Sequence, residues 1–144
     1  MKVLIAEDDK HIGEGLCAIL EAEGYWPLLA SDGEQALALF HAEDPQVILL
    51  DIMMPKRDGY TVCREIRKTN THVPVIFISA KSEEIDRVVG LELGADDYIQ
   101  KPFGTREVIA RIRAVSRRTL AQSASPSLSS EMLRLGDLEV FPAQ

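Results

Sequence analysis

The chain has 144 residues and a formal net charge of −7. That length suits one domain with a short extension, and the acidic balance disfavours non-specific nucleic-acid binding by the whole chain. Hydrophobic residues at 46% and charged residues at 27% set disorder aside, and no run of 18 apolar residues is present to span a membrane. Cys17 and Cys63 are too few for a disulfide framework. Their helix-like surroundings (CAIL and VCREI) mark them as reduced thiols of a cytoplasmic protein.

The opening MKVLIAEDD reads as a strand over residues 3–6 ending in acids, not as a signal peptide. Residues 11–23 carry Ile12, Leu16, Ile19 and Leu20 at helical spacing, and Gly24 stops that helix. Residues 25–30 read as a strand interrupted by Pro27, which places it at a sheet edge. Trp26 beside it is expected as a half-buried edge residue. Residues 34–42 are helical, with Ala36, Leu37 and Phe40 facing inward. The stretch QVILLD (46–51) is the most apolar strand and is expected at the centre, covered on both faces. A third helix over 59–68, a strand over 73–79, a fourth helix over 83–93 ended by Gly94, a fifth strand over 97–100 and a fifth helix over 105–118 follow. Five strand–helix pairs at this spacing predict an α/β fold: a parallel sheet with helices on both faces and right-handed crossovers.

Beyond Arg118 the pattern changes. The segment 121–131, with its run QSASPSLSS, is expected to be a serine-rich linker. In 132–144, LRLGDLEVFPAQ reads as two strands around Gly136–Asp137. Two strands cannot form a stable unit alone, so these residues are expected to be the start of a second domain, cut short.

Glu7 and Asp8, Asp51 and Ser79 all stand at the carboxyl ends of strands, where ligands bind in open parallel sheets. Lys101 adds a positive charge at the same edge. Three mutually repelling carboxylates raise one another's pKa and invite a cation. Two or three carboxylates with waters suit Mg2+, which takes phosphate oxygens as further ligands. A carboxylate nucleophile, a metal, a lysine and a hydroxyl make a workable set for phosphoryl transfer. Taken singly, each has a plainer reading. Strand-end acids are commonly solvated loop residues, Lys-Pro is commonly a turn, and Ser79 suits a helix cap. The constellation carries the inference, because all members fall at one edge of one sheet.

The ordered motifs VLIAEDD, ILLDIMMPKRDGY, VIFISAK and GADDYIQKPF resemble the receiver family of response regulators over nearly all of residues 1–120. The resemblance implies a flavodoxin-like three-layer sandwich with strand order 2-1-3-4-5, which puts the Pro27 strand at an edge. It implies Mg2+ on Glu7, Asp8, Asp51 and the backbone carbonyl of Met53, and a phosphoryl group accepted by Asp51. Ser79 and Lys101 then serve the transfer, and the Lys101–Pro102 bond is commonly cis. Tyr98, from periodicity an inward-packed strand residue, becomes with Ser79 the switch pair. Asp9 is not expected to be a primary ligand; it points toward the first helix. The implied partner is a sensor histidine kinase. GLELGADDYIQKPF followed by an arginine-bearing helix resembles the OmpR/PhoB-type subfamily, so 132–144 is expected to begin a winged-helix DNA-binding effector domain. DNA would be bound only through that missing domain.

Other features are read more plainly. His11, His41 and His72 lack metal spacing and are expected at the surface. Adjacent Met53 and Met54 suit loop or packing positions. Five arginines on the fifth helix admit a solvated face or nucleic acid. A face shared by the fourth helix, fifth strand and fifth helix fits better. Arg87, Glu92, Asp96, Asp97, Glu107, Arg111 and Arg118 would surround Val88, Leu91 and Ile109 there, a pattern suited to a symmetric homodimer. The expected pairs across the axis are Arg87 with Glu107, Asp97 with Arg111, and Asp96 with Arg118. The rivals are a magnesium phosphohydrolase, which would need a second acid beside the nucleophile that Asp51-Ile52-Met53 lacks, and a binding module that is never phosphorylated.

Overall fold

The computed structural model describes residues 1–54, 56, 58–80, 92 and 94–124. The helix expected over 83–93, the strands expected within 132–144 and the side chain of Arg118 lie outside the described residues. The chain forms β1 (Lys2–Ala6), α1 (Lys10–Ala22), β2 (Trp26–Ala30), α2 (Gly33–Glu43), β3 (Val47–Asp51), α3 (Gly59–Thr69), β4 (Val75–Ser79), β5 (Asp97–Gln100) and α4 (Thr105–Ala124). Here α4 is the helix read above as the fifth.

All strand pairings are parallel, in the order β2-β1-β3-β4-β5. The apolar runs follow from this geometry, since alternate residues of each strand point to opposite faces and both faces are covered. Leu4, Ile48, Leu50 and Phe77 pack with Phe40 of α2 and Val62 and Ile66 of α3. Val3, Ile5, Leu49 and Ile76 pack with Leu16 and Leu20 of α1 and Val108 and Ile112 of α4. This is the three-layer, flavodoxin-like sandwich. Central β3 is buried at every position, and β2, with Pro27 paired only to Val3, is an edge.

Three helices start at the carboxyl edge of the sheet with an aspartate N-cap. Asp9 accepts from the N–H groups of His11 and Ile12, Asp32 from Gln35, and Asp58 from Thr61. Each cap satisfies donors that the first helical turn leaves open. At the other edge, Arg67 ties α3 to the turn before β5. Its guanidinium donates to the carbonyls of Gly94, Asn70 and Val73 and to the Asp96 carboxylate.

Three expectations are corrected. Trp26 is 60% exposed, not half-buried. It opens an edge strand, and the Lys2 ammonium lies 5.2 Å from its ring centroid. The last helix runs to Ala124 rather than 118 and takes in the first residues of the stretch read as a linker. No proline or glycine lies between Arg118 and Ala124, so the sequence does not oppose the extension. Ile109 is 7% exposed and belongs to the core against β5, so little of it is available to a partner.

Candidate functional site

The register of β1 against β3 pairs Ala6 with Leu50, so the next residues, Glu7 and Asp51, emerge side by side. Both are almost fully buried, while Asp8 is exposed. One carboxylate oxygen from each of Glu7, Asp8 and Asp51 lies within 4.8 Å of the others. Ser79 ends β4 and is fully buried; its carbonyl accepts the Lys101 backbone N–H at 2.7 Å. That bond continues the β4–β5 ladder, and the Lys101–Pro102 bond that follows is cis. Lys101 Nζ then stands 2.9 Å from Glu7 Oε1 and 3.4 Å from Asp51 Oδ2.

The charges explain the electrostatics. Burial, followed by the neighbouring Glu7 carboxylate, pushes the Asp51 carboxyl up to about 7, while Lys101 and the Met53 N–H pull against that rise. Burial draws the Lys101 ammonium down, but Glu7 and Asp51 outweigh it and leave its pKa raised. Glu7 Oε1 is buried and meets the Lys101 ammonium as an ion pair at 2.9 Å. Two buried carboxylates and an exposed acid facing a single ammonium, with the Asp51 carboxyl pushed well above its usual range, are the marks of a site short of positive charge. A small divalent cation with oxygen ligands fits that donor set.

The other expected site residues fall as follows. Asp9 caps α1, and its own N–H donates to Glu7 Oε2 at 3.1 Å, which helps orient the buried acid. Met53 is exposed, and its N–H donates to Asp51 Oδ1 at 3.2 Å. Tyr98 is buried in the cluster that includes Phe77 and Ile66. The three histidines are at the surface.

Gly59 was read only as the start of a helix, yet it is part of the site's frame. Its N–H donates to the Ile52 carbonyl, and a Cβ there would meet the Asp51 backbone oxygen at 2.5 Å. The DGY triplet was the available signal. Lys56, at a left-handed φ of 68°, was also missed; its ammonium is 3.7 Å from Asp32.

On the expected dimer face, Arg87, Val88 and Leu91 lie outside the described residues, and Glu92 is exposed. Asp97 and Arg111, expected to pair between chains, pair within one chain at 2.8 Å, and Arg111 also meets Glu107 at 3.2 Å. Asp96 is in use within the chain as well, accepting from Val75 N–H and Arg67.

Residues 3–113 match the response regulator receiver domain. The chain is 54% identical over 129 residues to a probable transcriptional regulator, ycf27, of Guillardia theta, covering 90% of this chain and 50% of that protein. It thus spans about half the length of the curated relative it matches. Among solved structures, the receiver domain of Francisella response regulator 1452 is 39% identical with a TM-score of 0.78, covering 82% of this chain and 98% of that one. The BeF3-activated N-terminal receiver domain of Klebsiella pneumoniae RstA is 31% identical with a TM-score of 0.78, covering 81% and 99%.

Proposed function

The chain belongs to the response regulator receiver family, and from that premise we propose that it is the phosphate-accepting part of a two-component transcriptional regulator, phosphorylated on Asp51 by a sensor histidine kinase. The observation that carries this reading is the placement of Asp51. It ends the central strand, buried beside Glu7 and facing the Lys101 ammonium.

A carboxylate oxygen of Asp51 attacks the phosphorus of the incoming group. The new O–P bond forms as the bond from phosphorus to the donor breaks, and the donor leaves with that electron pair. Lys101 sets a positive charge where the phosphoryl oxygens arrive, and the Ser79 hydroxyl supplies a donor from the end of β4. Glu7, Asp8, Asp51 and the Met53 carbonyl would hold Mg2+, which when bound neutralises charge on the transferring phosphoryl group. The acyl phosphate adds about 1.5–2 negative charges at the edge of the sheet. Ser79 and Lys101 draw toward it, Tyr98 follows, and a pre-existing equilibrium shifts. The receiver promotes its own phosphorylation and slow dephosphorylation and turns over no other substrate.

An apolar cleft of about 430 Å³, lined by Ile12, Leu16, Ile19, Ala80, Pro102 and Phe103, opens beside Lys101. The resemblance to a transcriptional regulator about twice as long supports an OmpR/PhoB-type parent in which a receiver, its last helix running to Ala124, is followed by a linker and by the start of a DNA-binding effector over 132–144. Activation would pair two receivers through β5, α4 and the 83–93 segment. The described residues hold no helix long and apolar enough to cross a membrane, and we place the protein's work in the cytoplasm.

Intact-mass measurement after incubation with Mg2+ and acetyl phosphate tests the central point. The parent chain gains one phosphoryl group and Asp51→Asn gains none while keeping its fold. An adduct on the variant at the parent level would remove Asp51 from its role.

A further inference from the structure

Three charged residues of the proposed dimer face are already paired with one another inside a single chain. Arg111 Nη1 donates to both oxygens of Asp97, at 2.8 and 3.0 Å, and its Nε donates to Glu107 Oε2 at 3.2 Å. The arrangement follows from the fold. Asp97 is the first residue of β5, and α4 brings Arg111 over it with Glu107 one turn earlier on the same helix. Asp97 Oδ1 also accepts the backbone N–H of Tyr98 at 2.8 Å. The Asp97 carboxylate is therefore engaged at both oxygens, and it ties α4 to the strand that carries the buried tyrosine.

A two-fold dimer that pairs Asp97 of one copy with Arg111 of the other cannot gain this contact outright. Symmetry makes the accounting plain: two pairs open within the chains and two equivalent pairs form across the axis. We propose that Asp97 and Arg111 form an intrachain latch, exchanged for the same pair between chains on dimerisation, so that it stabilises the separate chain and selects the register of the dimer without driving association. This rests on the dimer face proposed above. The latch sits against Tyr98, so a shift of that strand on phosphorylation would loosen the pair in the place where the partner's arginine arrives.

Two measurements on the full chain with Mg2+ test the exchange. In dilute protein without a phosphoryl mimic, melting temperatures are compared for Asp97→Asn, Arg111→Gln and the double variant. The latch makes the two single shifts sum to more than the shift of the double variant, because each breaks the same pair. With beryllium fluoride added, sedimentation equilibrium gives the dimer dissociation constant. Each neutral variant stays within about threefold of the parent, since it removes one contact from both states. Additive melting shifts, or a weakening of about tenfold or more by either neutral variant, overturn the exchange.

The face itself is checked by mixing Asp97→Arg with Arg111→Asp. Alone, each variant sets like charges together both within and between chains. Mixed, opposite charges return only across the axis. A heterodimer supports the face on which the exchange rests. A parent that dimerises while the mixture does not overturns the face, and with it the exchange; the melting cycle would then report a pair that serves the single chain alone.

Discussion

Asp51 sits at about 7 where an unfolded chain would titrate near 3.8, and the cause is burial first and the Glu7 carboxylate second. Between those two values the folded state keeps a proton that the unfolded state has lost. The metal-free fold therefore loses stability as the pH rises through that window, and above it carries the whole penalty. Replacing the carboxyl with an amide removes the penalty. In thermal melts with a chelator, Asp51→Asn is more stable than the parent by on the order of 1–3 kcal/mol at about pH 8, and the difference shrinks toward about pH 4. A difference that does not change with pH would contradict this. The two adjacent acids after Glu7 divide their tasks by geometry, since Asp8 faces the cluster and Asp9 caps α1. Calorimetric titration should show Asp8→Ala weakening Mg2+ binding by roughly tenfold. Asp9→Ala should leave binding nearly intact and lower stability by about 1 kcal/mol. Equal losses of Mg2+ affinity would mean the roles are misassigned.

At the scale of elements, the site depends on how closely the start of α3 approaches the end of β3. Gly59 permits that approach, because any side chain there would run into the backbone of Asp51 and Ile52. Backbone cannot yield as a flexible side chain can. Gly59→Ala is expected to lower stability by about 2–4 kcal/mol. It should also slow the reaction with acetyl phosphate, because the residue that moves is the acceptor itself. Chemical denaturation and the rate of mass gain check the two parts. A variant with the parent's stability and rate would show that the close approach does not matter. Arg67 works at the far edge in a similar structural manner. It gathers three carbonyls and the Asp96 carboxylate into one junction, so Asp96 has a post in its own chain before any partner arrives.

Over the whole molecule, charge argues against nucleic acid as a direct ligand of this chain. The net charge is −7. The exposed arginines of α4 are partly spoken for, as with Arg113, which pairs with Glu23 at 2.7 Å. Fluorescence anisotropy with duplex DNA is expected to show no sequence preference at physiological salt, and any weak binding should fade steeply as salt rises. Tight, selective binding to one duplex by this chain would reverse that conclusion.

The order of the described elements, the sheet edge at Pro27, the central burial of QVILLD and the gathering of Glu7, Asp8, Asp51, Ser79 and Lys101 at one edge were legible in the sequence. Strand period, apolar runs and the rule that strand ends share an edge are local properties that the chain displays residue by residue. That Asp9 turns toward the first helix was legible for the same reason; that it caps that helix was not. The exposure of Trp26, the burial of Ile109, the close approach at Gly59 and the Arg67 junction were not, because each depends on which element packs against which and at what distance. The pairing of Asp97 with Arg111 is the sharpest case. Complementary charges could be read from the sequence, but whether they meet within one chain or between two is decided only when β5 and α4 are brought side by side, since opposite charges carry no label of the chain they belong to.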